Sequence, residues 1–431
     1  MAQKLKFGRG TWATKEGSTL AYNDEGNNYK PLPFSFERDS IATRVNKEGL
    51  IEVVGKDIPR IDYTDSADGV LLLENSSTNL VTYSEDFSQS YWATTGSSVQ
   101  GGFDYPSVYS NLGSFKLIED TSNSRHGINH TFVGITSNTD YSFSINIKPN
   151  GRQWVYFKPF DWIGSYVWFD VLNGVVGNIL NHPSFIFKNA KINKIANGFF
   201  NVSFSVNTTF PQIQIGLALT TSNDVFSNYI GDGASGVYIY GAQLEQNSFS
   251  TSYIPTSGST VPRAAETANG SGNSEVFNDS EGVLFVNHKP IINTTTNSAT
   301  TVNNGTANRV YIGNNTTDEN LQFFMAVGGS SKINVLTPYP KNAYSKIAFS
   351  YKSGNSKGYV NGFQIFSDNV AFSDFTTLNK LSFNNGSTEV FKGSVKEVGY
   401  YDTILTDAEL EYMTSYRSLN ELVTELNLNT L

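Results

Sequence analysis

The apolar residues of this chain recur mostly at every second position. Residues 141–147 (Tyr-Ser-Phe-Ser-Ile-Asn-Ile), 200–206 (Phe-Asn-Val-Ser-Phe-Ser-Val) and 212–219 alternate cleanly, and 237–240 does so over a shorter span. Successive side chains of a strand point to opposite faces, so each segment predicts a half-buried strand. A second train follows at 282–286, 321–327, 346–351 and 357–366, with a hairpin turn predicted at 353–356. Between the trains, 256–262 and 267–274 are rich in Ser, Thr, Gly and Asn, which predicts a flexible linker and a domain boundary.

Residues 1–80 read differently. Short strand-like pieces are broken by turns ending in Gly26, Gly49 and Gly69, and Pro31 and Pro33 oppose a central strand. The segment has too few apolar positions for a core of its own. It is expected to be an extended anchor that borrows its core from a partner chain or from the next domain. Near the other end, Thr406 can cap a helix, with Glu409 completing a capping box. Tyr412, Tyr416, Leu419, Val423 and Leu426 then recur at spacings that make about two heptads of seam. Such a helix either packs on its own domain or forms a short coil between subunits.

The pattern predicts an all-β chain: two tandem antiparallel jelly-roll/β-sandwich domains after an N-terminal anchor, with a short C-terminal helix. The expected boundaries are 1–80, 81–262, 263–415 and 416–431. Composition agrees. Of 431 residues 13% are aromatic, with 30 Phe and 23 Tyr, and only 16% are charged, a bias towards strands. The net charge of −9, with no basic run, argues against a nucleic-acid partner. It also argues against docking on an anionic membrane. No Cys is present, so disulfides and thiolate metal sites are excluded, which suits assembly in a bacterial cytoplasm. The first residues lack the apolar stretch of a signal peptide. No apolar run approaches the roughly 18 residues of a membrane span.

Three stretches resemble bacteriophage virion proteins. Residues 34–51, 59–63, 69–74 and 78–87 look like the leader of phage tail and head-fibre proteins. Residues 241–245 (Gly-Ala-Gln-Leu-Glu), 252–256 (Ser-Tyr-Ile-Pro-Thr) and 261–266 resemble the closing strand and exit of a carbohydrate-binding-module-like jelly roll. Residues 358–362 (Gly-Tyr-Val-Asn-Gly), 391–398 and 405–410 are similar to the end of a concanavalin A-like domain of the laminin G or pentraxin type. That jelly roll usually has a Gly-Trp-Tyr-like turn, where this chain has Gly198, Phe199 and Phe200.

The resemblance implies a non-enzymatic structural protein of a phage particle, a fibre or spike assembled in the host cytoplasm and resident in the virion. Its leader would contact other virion proteins, its jelly rolls would bind host surface glycans, and it would be a homo-oligomer, most commonly a trimer. Two rival readings are a tailspike that degrades polysaccharide and an architectural decoration protein with no ligand.

Glycosidases of the concanavalin A-like fold carry a Glu-x-Asp-x-(x)-Glu run on one strand, and residues 275–402 have none. Glu37-Arg38-Asp39 lacks the second Glu, and Asp407, Glu409 and Glu411 diverge around a helix. Gly354, Ser356 and Gly358 fit a nucleophile motif, but two strands flank them where a helix should follow. His126 and His130 share one face of an extended segment without further ligands close in sequence. No cofactor is expected. Calcium is the one candidate, since pentraxin-type domains hold it with oxygens, and Asp318, Glu319, Asn320, Asp232 and Asp279 supply oxygens in loops. Sugar binding needs aromatic faces and polar groups. The densest candidate is 152–170, where alternation puts Trp154, Tyr156 and Lys158 on one face, and Asp161 and Trp162 fall near a turn.

Overall fold

The computed structural model describes residues 3–8, 11–15, 19–22, 32–101, 108–109, 113–160, 163–291, 298–315, 320–338, 343–418 and 421–423. The protein is all-β, of the jelly-roll/β-sandwich type, with antiparallel sheets and a short C-terminal helix. Two compact units form. One holds Met1–Ile41, Val54–Asn75 and Ala264–Leu431, and the other holds Ala42–Val53 and Ser76–Arg263.

The second unit is a sandwich of two six-stranded sheets. One runs Ala93–Thr95, Gly127–Val133, Gln212–Thr220, Trp154–Lys158, Tyr166–Asp170 and Val175–Leu180. The other runs Ser97–Gly101, Phe115–Glu119, Gly236–Glu245, Asp140–Asn150, Phe200–Thr208 and Phe185–Lys194. Alternation decides the core: Phe143, Ile145, Val155, Phe157, Val202, Phe204, Ile213 and Ile215 all point inward and are buried. The polar positions of the resembling motifs clasp the chain together. Asn79 is fully buried; its amide donates to the carbonyls of Ala242 and Ile254, and its oxygen accepts from the amides of Val81 and Leu244. Gln243 accepts from the Ile254 amide at 2.6 Å, and Glu245 accepts from Ser77 and from the Thr251 amide.

In the first unit the two principal sheets face a shared core. One is ordered Phe363–Asp368, Ser356–Val360, Ser345–Lys352, Glu281–Pro290, Gly393–Tyr401, Val70–Leu73 and Arg60–Asp62. Gln3–Gly8 pairs with the far end of Gly393–Tyr401. The second sheet is ordered Ser330–Thr337, Leu321–Val327, Arg309–Asn314, Ala299–Asn303 and Lys380–Ser382.

The anchor expected at 1–80 is not a separate piece. Leu5, Phe7, Trp12, Phe34, Phe36, Ile61, Leu71 and Leu73 are buried in one core with Leu284, Phe349 and Val398. The physical reason is the one that made it look coreless: short strands with few apolar positions gain burial by adding to an existing sheet. Ala42–Val53 and Ser76–Leu80 belong instead to the other unit. The expected linker is strand in part. Val261–Arg263 pairs with Ser77–Asn79 in one unit, and Thr267–Asn269 pairs with Phe34–Glu37 in the other.

The helix is Asp407–Thr414, capped by Thr406 with the reciprocal Glu409 bond. It stops at Ser415, whose backbone is extended. Leu405 and Leu410 pack against Val283, Phe285, Ala348 and Tyr359, so the helix covers its own unit. One continuous helical seam from Tyr412 to Leu426 is therefore not formed. Tyr412 is exposed, Tyr416 lies beyond the helix with its hydroxyl donating to the Tyr344 carbonyl, and Val423 is half-buried. Leu419 and Leu426 lie outside the described residues. No helix among the described residues is long and apolar enough to cross a membrane.

Candidate functional site

Strand Trp154–Lys158 turns Val155 and Phe157 into the sandwich core, which leaves Trp154, Tyr156 and Lys158 on the opposite face. Tyr156 is not open to a sugar ring. It is 1% exposed, in a cluster with Tyr166, Trp168 and Ala218, and Trp154 packs beside it half-buried. Phe226 stacks on Tyr166 at 4.6 Å, and the Trp168 indole donates to the Val225 carbonyl at 3.2 Å. The loop carrying Val225 and Phe226 thus closes over these rings. Asp161 and Trp162 lie outside the described residues.

Beside this aromatic cluster the same face is hollow, and strand register explains why. Thr95 opposes Gly127, Gly127 opposes Ala218, and Ala218 opposes Tyr156. In the next row on this face, Asn129 opposes Gly216 and Gly216 opposes Lys158. Same-face neighbours in adjacent strands normally fill such rows with side chains. Gly127, Gly216 and Ala218 offer none or a methyl, and a groove of about 330 Å³ opens over them. This lies at the small end of the roughly 300–1,000 Å³ of ligand sites.

Thr95, Arg125, Asn129, Lys158, Phe160 and Gln214 stand around that floor. The Gln214 amide donates to the Thr131 hydroxyl at 3.2 Å and the Asn129 amide to the Ala93 carbonyl at 3.3 Å, so both amides are oriented. The arrangement offers hydrogen-bonding amides, a hydroxyl, two cations and one ring. Among the described lining residues none is Asp or Glu.

The two floor glycines differ. A Cβ on Gly127 would stand 2.4 Å from the Leu217 carbonyl oxygen, so only glycine fits there. A Cβ on Gly216 would meet Lys158 Cγ at 3.4 Å and Asn129 Cβ at 3.5 Å, which is ordinary contact. Lys158 was legible as a face residue in the sequence. Arg125, Asn129 and Gln214 were not singled out, although alternation in 212–219 does put Gln214, Gly216 and Ala218 on one polar face.

The other described candidates make hydrogen bonds within the fold. The buried His126 ring bonds the carbonyls of Gly96 and Tyr229. His130 stacks on Tyr91 at 3.5 Å and bonds its carbonyl, with burial lowering its pKa. Asp232 accepts from the amides of Ala234 and Ser235, and Asp279 from those of Thr377 and Leu378, so both close loops. Asp318 and Glu319 lie outside the described residues, while Asn320 accepts from the Asn315 amide. No group of three or more His, Asp or Glu is placed to hold a metal ion among the described residues. Ser356 lies at the mouth of a hairpin and bonds the Lys352 backbone. Asp407 pairs with Lys357, and Glu409 serves the helix cap.

One titratable hub stands out in this unit. Glu119 is buried and accepts from Arg152 Nε at 2.7 Å, the Tyr229 hydroxyl at 2.7 Å and the Asp232 amide at 2.9 Å. Burial works to raise its pKa, but these donors hold it below the usual value.

Comparison with known proteins finds a partial match within the other unit. Residues 288–411 match the laminin G type model described as the concanavalin A-like lectin/glucanases superfamily. No curated protein sequence matches the chain. Similar solved structures include the IT-sialidase CBM40 of Ruminococcus gnavus, at 15% identity over 34% of this chain and 94% of that one, with a TM-score of 0.29. Domain 4 of the GH43 extracellular arabinanase AbnA from Geobacillus stearothermophilus, in complex with arabinotriose, is 19% identical over 35% and 73%, with a TM-score of 0.28. A putative carbohydrate binding protein from Bacteroides ovatus is 12% identical over 79% and 85%, with a TM-score of 0.27. Residues 288–411 are thus similar to a concanavalin A-like lectin/glucanase domain.

Proposed function

We propose that this chain is a non-catalytic glycan-binding protein whose binding site is the groove over Gly127, Gly216 and Ala218. The observation that carries the reading is the combination of a floor emptied of side chains with oriented amides at Asn129 and Gln214. A saccharide presents many hydroxyls and few charges, and fixed amides with an adjacent ring suit it. Hydrolysis of a glycosidic bond takes a pair of carboxylates, and none of the described lining residues supplies one. The lectin/glucanase-type match at 288–411 supports a carbohydrate ligand for the chain as a whole.

The reading extends to a bacteriophage particle, where the chain would serve in a fibre or spike as a homotrimer. The resemblance of its leader and of its two closing motifs to phage virion proteins supports that role. The glycan reading is tested by probing a glycan array with the full chain and with Asn129→Ala and Gln214→Ala. Wild-type binding weakened by each substitution is expected. Wild-type binding unchanged in both variants contradicts it. Mass spectrometry of purified particles, and light scattering of the pure protein, test the virion and trimer parts.

A further inference from the structure

We infer that the loop of residues 221–228 is a movable lid on a second saccharide subsite, built from the ring faces of Tyr166 and Trp168, which lengthens the groove for oligosaccharides; this rests on the glycan reading above. Strand register places the subsite. Gly127 opposes Ala218, Ala218 opposes Tyr156, and Tyr156 opposes Trp168. One row of the face therefore runs from the groove floor into the rings, and Ala218 belongs both to the groove and to the aromatic cluster. Adjacent strands lie about 4.8 Å apart, so Trp168 stands roughly 10 Å beyond Ala218 along that row. A glycan lying across the strands reaches these rings with its next units.

Phe226 now occupies that place. Its ring lies over Tyr166 at 4.6 Å with the planes 17° apart, the stacked arrangement that the apolar face of a sugar ring would also take. The lid is lightly held. No residue from 221 to 228 is buried, and Phe226 itself is 46% exposed, so swinging it away uncovers little more of its own apolar area. The Val225 carbonyl accepts from the Trp168 indole at 3.2 Å and from the Thr220 hydroxyl at 2.8 Å. Asn223 and Asp224 accept from the backbone and side-chain amides of Asn178, and water can replace both of these exposed bonds. Asp224 also holds a left-handed backbone (φ 64°), which is unfavourable for a residue with a Cβ. Segments with so few buried contacts open at low cost. On opening, the Trp168 indole N–H passes from a backbone carbonyl to a saccharide hydroxyl, and the Tyr166 ring exchanges Phe226 for a sugar.

The test uses the full chain on gluco-, galacto-, manno-, arabino- and uronate oligosaccharides, each as a series from disaccharide to hexasaccharide. In a series that binds, affinity is expected to rise with length. Phe226→Ala should raise it about threefold or more for the longest members, because the closed lid no longer competes with them, and leave the disaccharide unchanged. The unfolding temperature reports that the variant is folded. A second measurement keeps Phe226 in place. Ser227→Cys, the only thiol in a chain without cysteine, carries a fluorine label on the loop. Its resonance should shift with the hexasaccharide and stay where it is with the disaccharide. Affinity lost at every length in Phe226→Ala would make Phe226 a wall of the groove and overturn the lid. An unchanged length profile, or a label that responds equally to both lengths, overturns it too. Each of these results leaves the glycan reading standing, whereas binding to no glycan overturns both.

Discussion

Arg60 donates through Nε to Glu266 at 2.7 Å across 206 residues of sequence, and both side chains are wholly buried. Arg38 reaches the same carboxylate at 2.7 Å, and Arg60 also pairs with Glu74 at 2.9 Å. Lys392 donates to the backbone carbonyls of Glu266 and Glu74. This buried network fastens the early strands to the later part of the same unit. Removing one partner of a buried pair strands the other charge and costs about 3–5 kcal/mol. Glu266→Ala is therefore expected to destabilise this unit by that amount. Hydrogen exchange of Glu281–Pro290 and Gly393–Tyr401 checks it: protection should fall there while Gln212–Thr220 keeps its own.

Asn79 satisfies four backbone groups with one amide. Asn79→Ala leaves them buried without partners, each such group costing about 1–3 kcal/mol. The expected loss is about 3 kcal/mol or more in urea unfolding of the jelly roll. A loss under about 1 kcal/mol would show that water replaces the side chain.

Much of this architecture was legible from period-two alternation, because Phe143, Val155, Phe204 and Ile215 have to choose a face and the core takes the apolar one. The role of residues 1–75 was not legible. Nothing local to Phe34 or Leu71 states that their partners lie near Ala268 and Val395, and long-range strand pairing leaves little trace in a single sequence. The same applies to the groove. Gly127 and Ala218 read as ordinary strand residues until register sets them side by side. The seam from Tyr412 failed for a local reason, the extended backbone at Ser415.

Glu119 sets a pH dependence. Its folded-state pKa lies below the unfolded value, so its stabilisation is present above the unfolded pKa and is lost as pH falls through the folded one. Glu119→Gln should cost about 2 kcal/mol at neutral pH, the scale of a hydrogen bond to a charged group. The gap between wild type and variant should narrow as pH drops below about 4.5. A gap independent of pH between neutral and strongly acidic conditions would mean that the carboxylate charge contributes nothing.

The two floor glycines separate stability from binding. Gly127→Ala forces a methyl to within 2.4 Å of the Leu217 carbonyl oxygen. Overpacking of this kind costs about 1–3 kcal/mol, and the unfolding temperature of the jelly roll should fall accordingly.

Gly216→Leu tests the central claim most directly. The site has room for the Cβ, so the fold should persist with an unchanged unfolding temperature, but the longer side chain occupies the groove. Calorimetric titration of the full-length variant with a glycan bound by the wild type should then show affinity reduced at least tenfold. Retention of wild-type affinity by a folded Gly216→Leu protein would contradict the account, because the glycan would have to bind elsewhere.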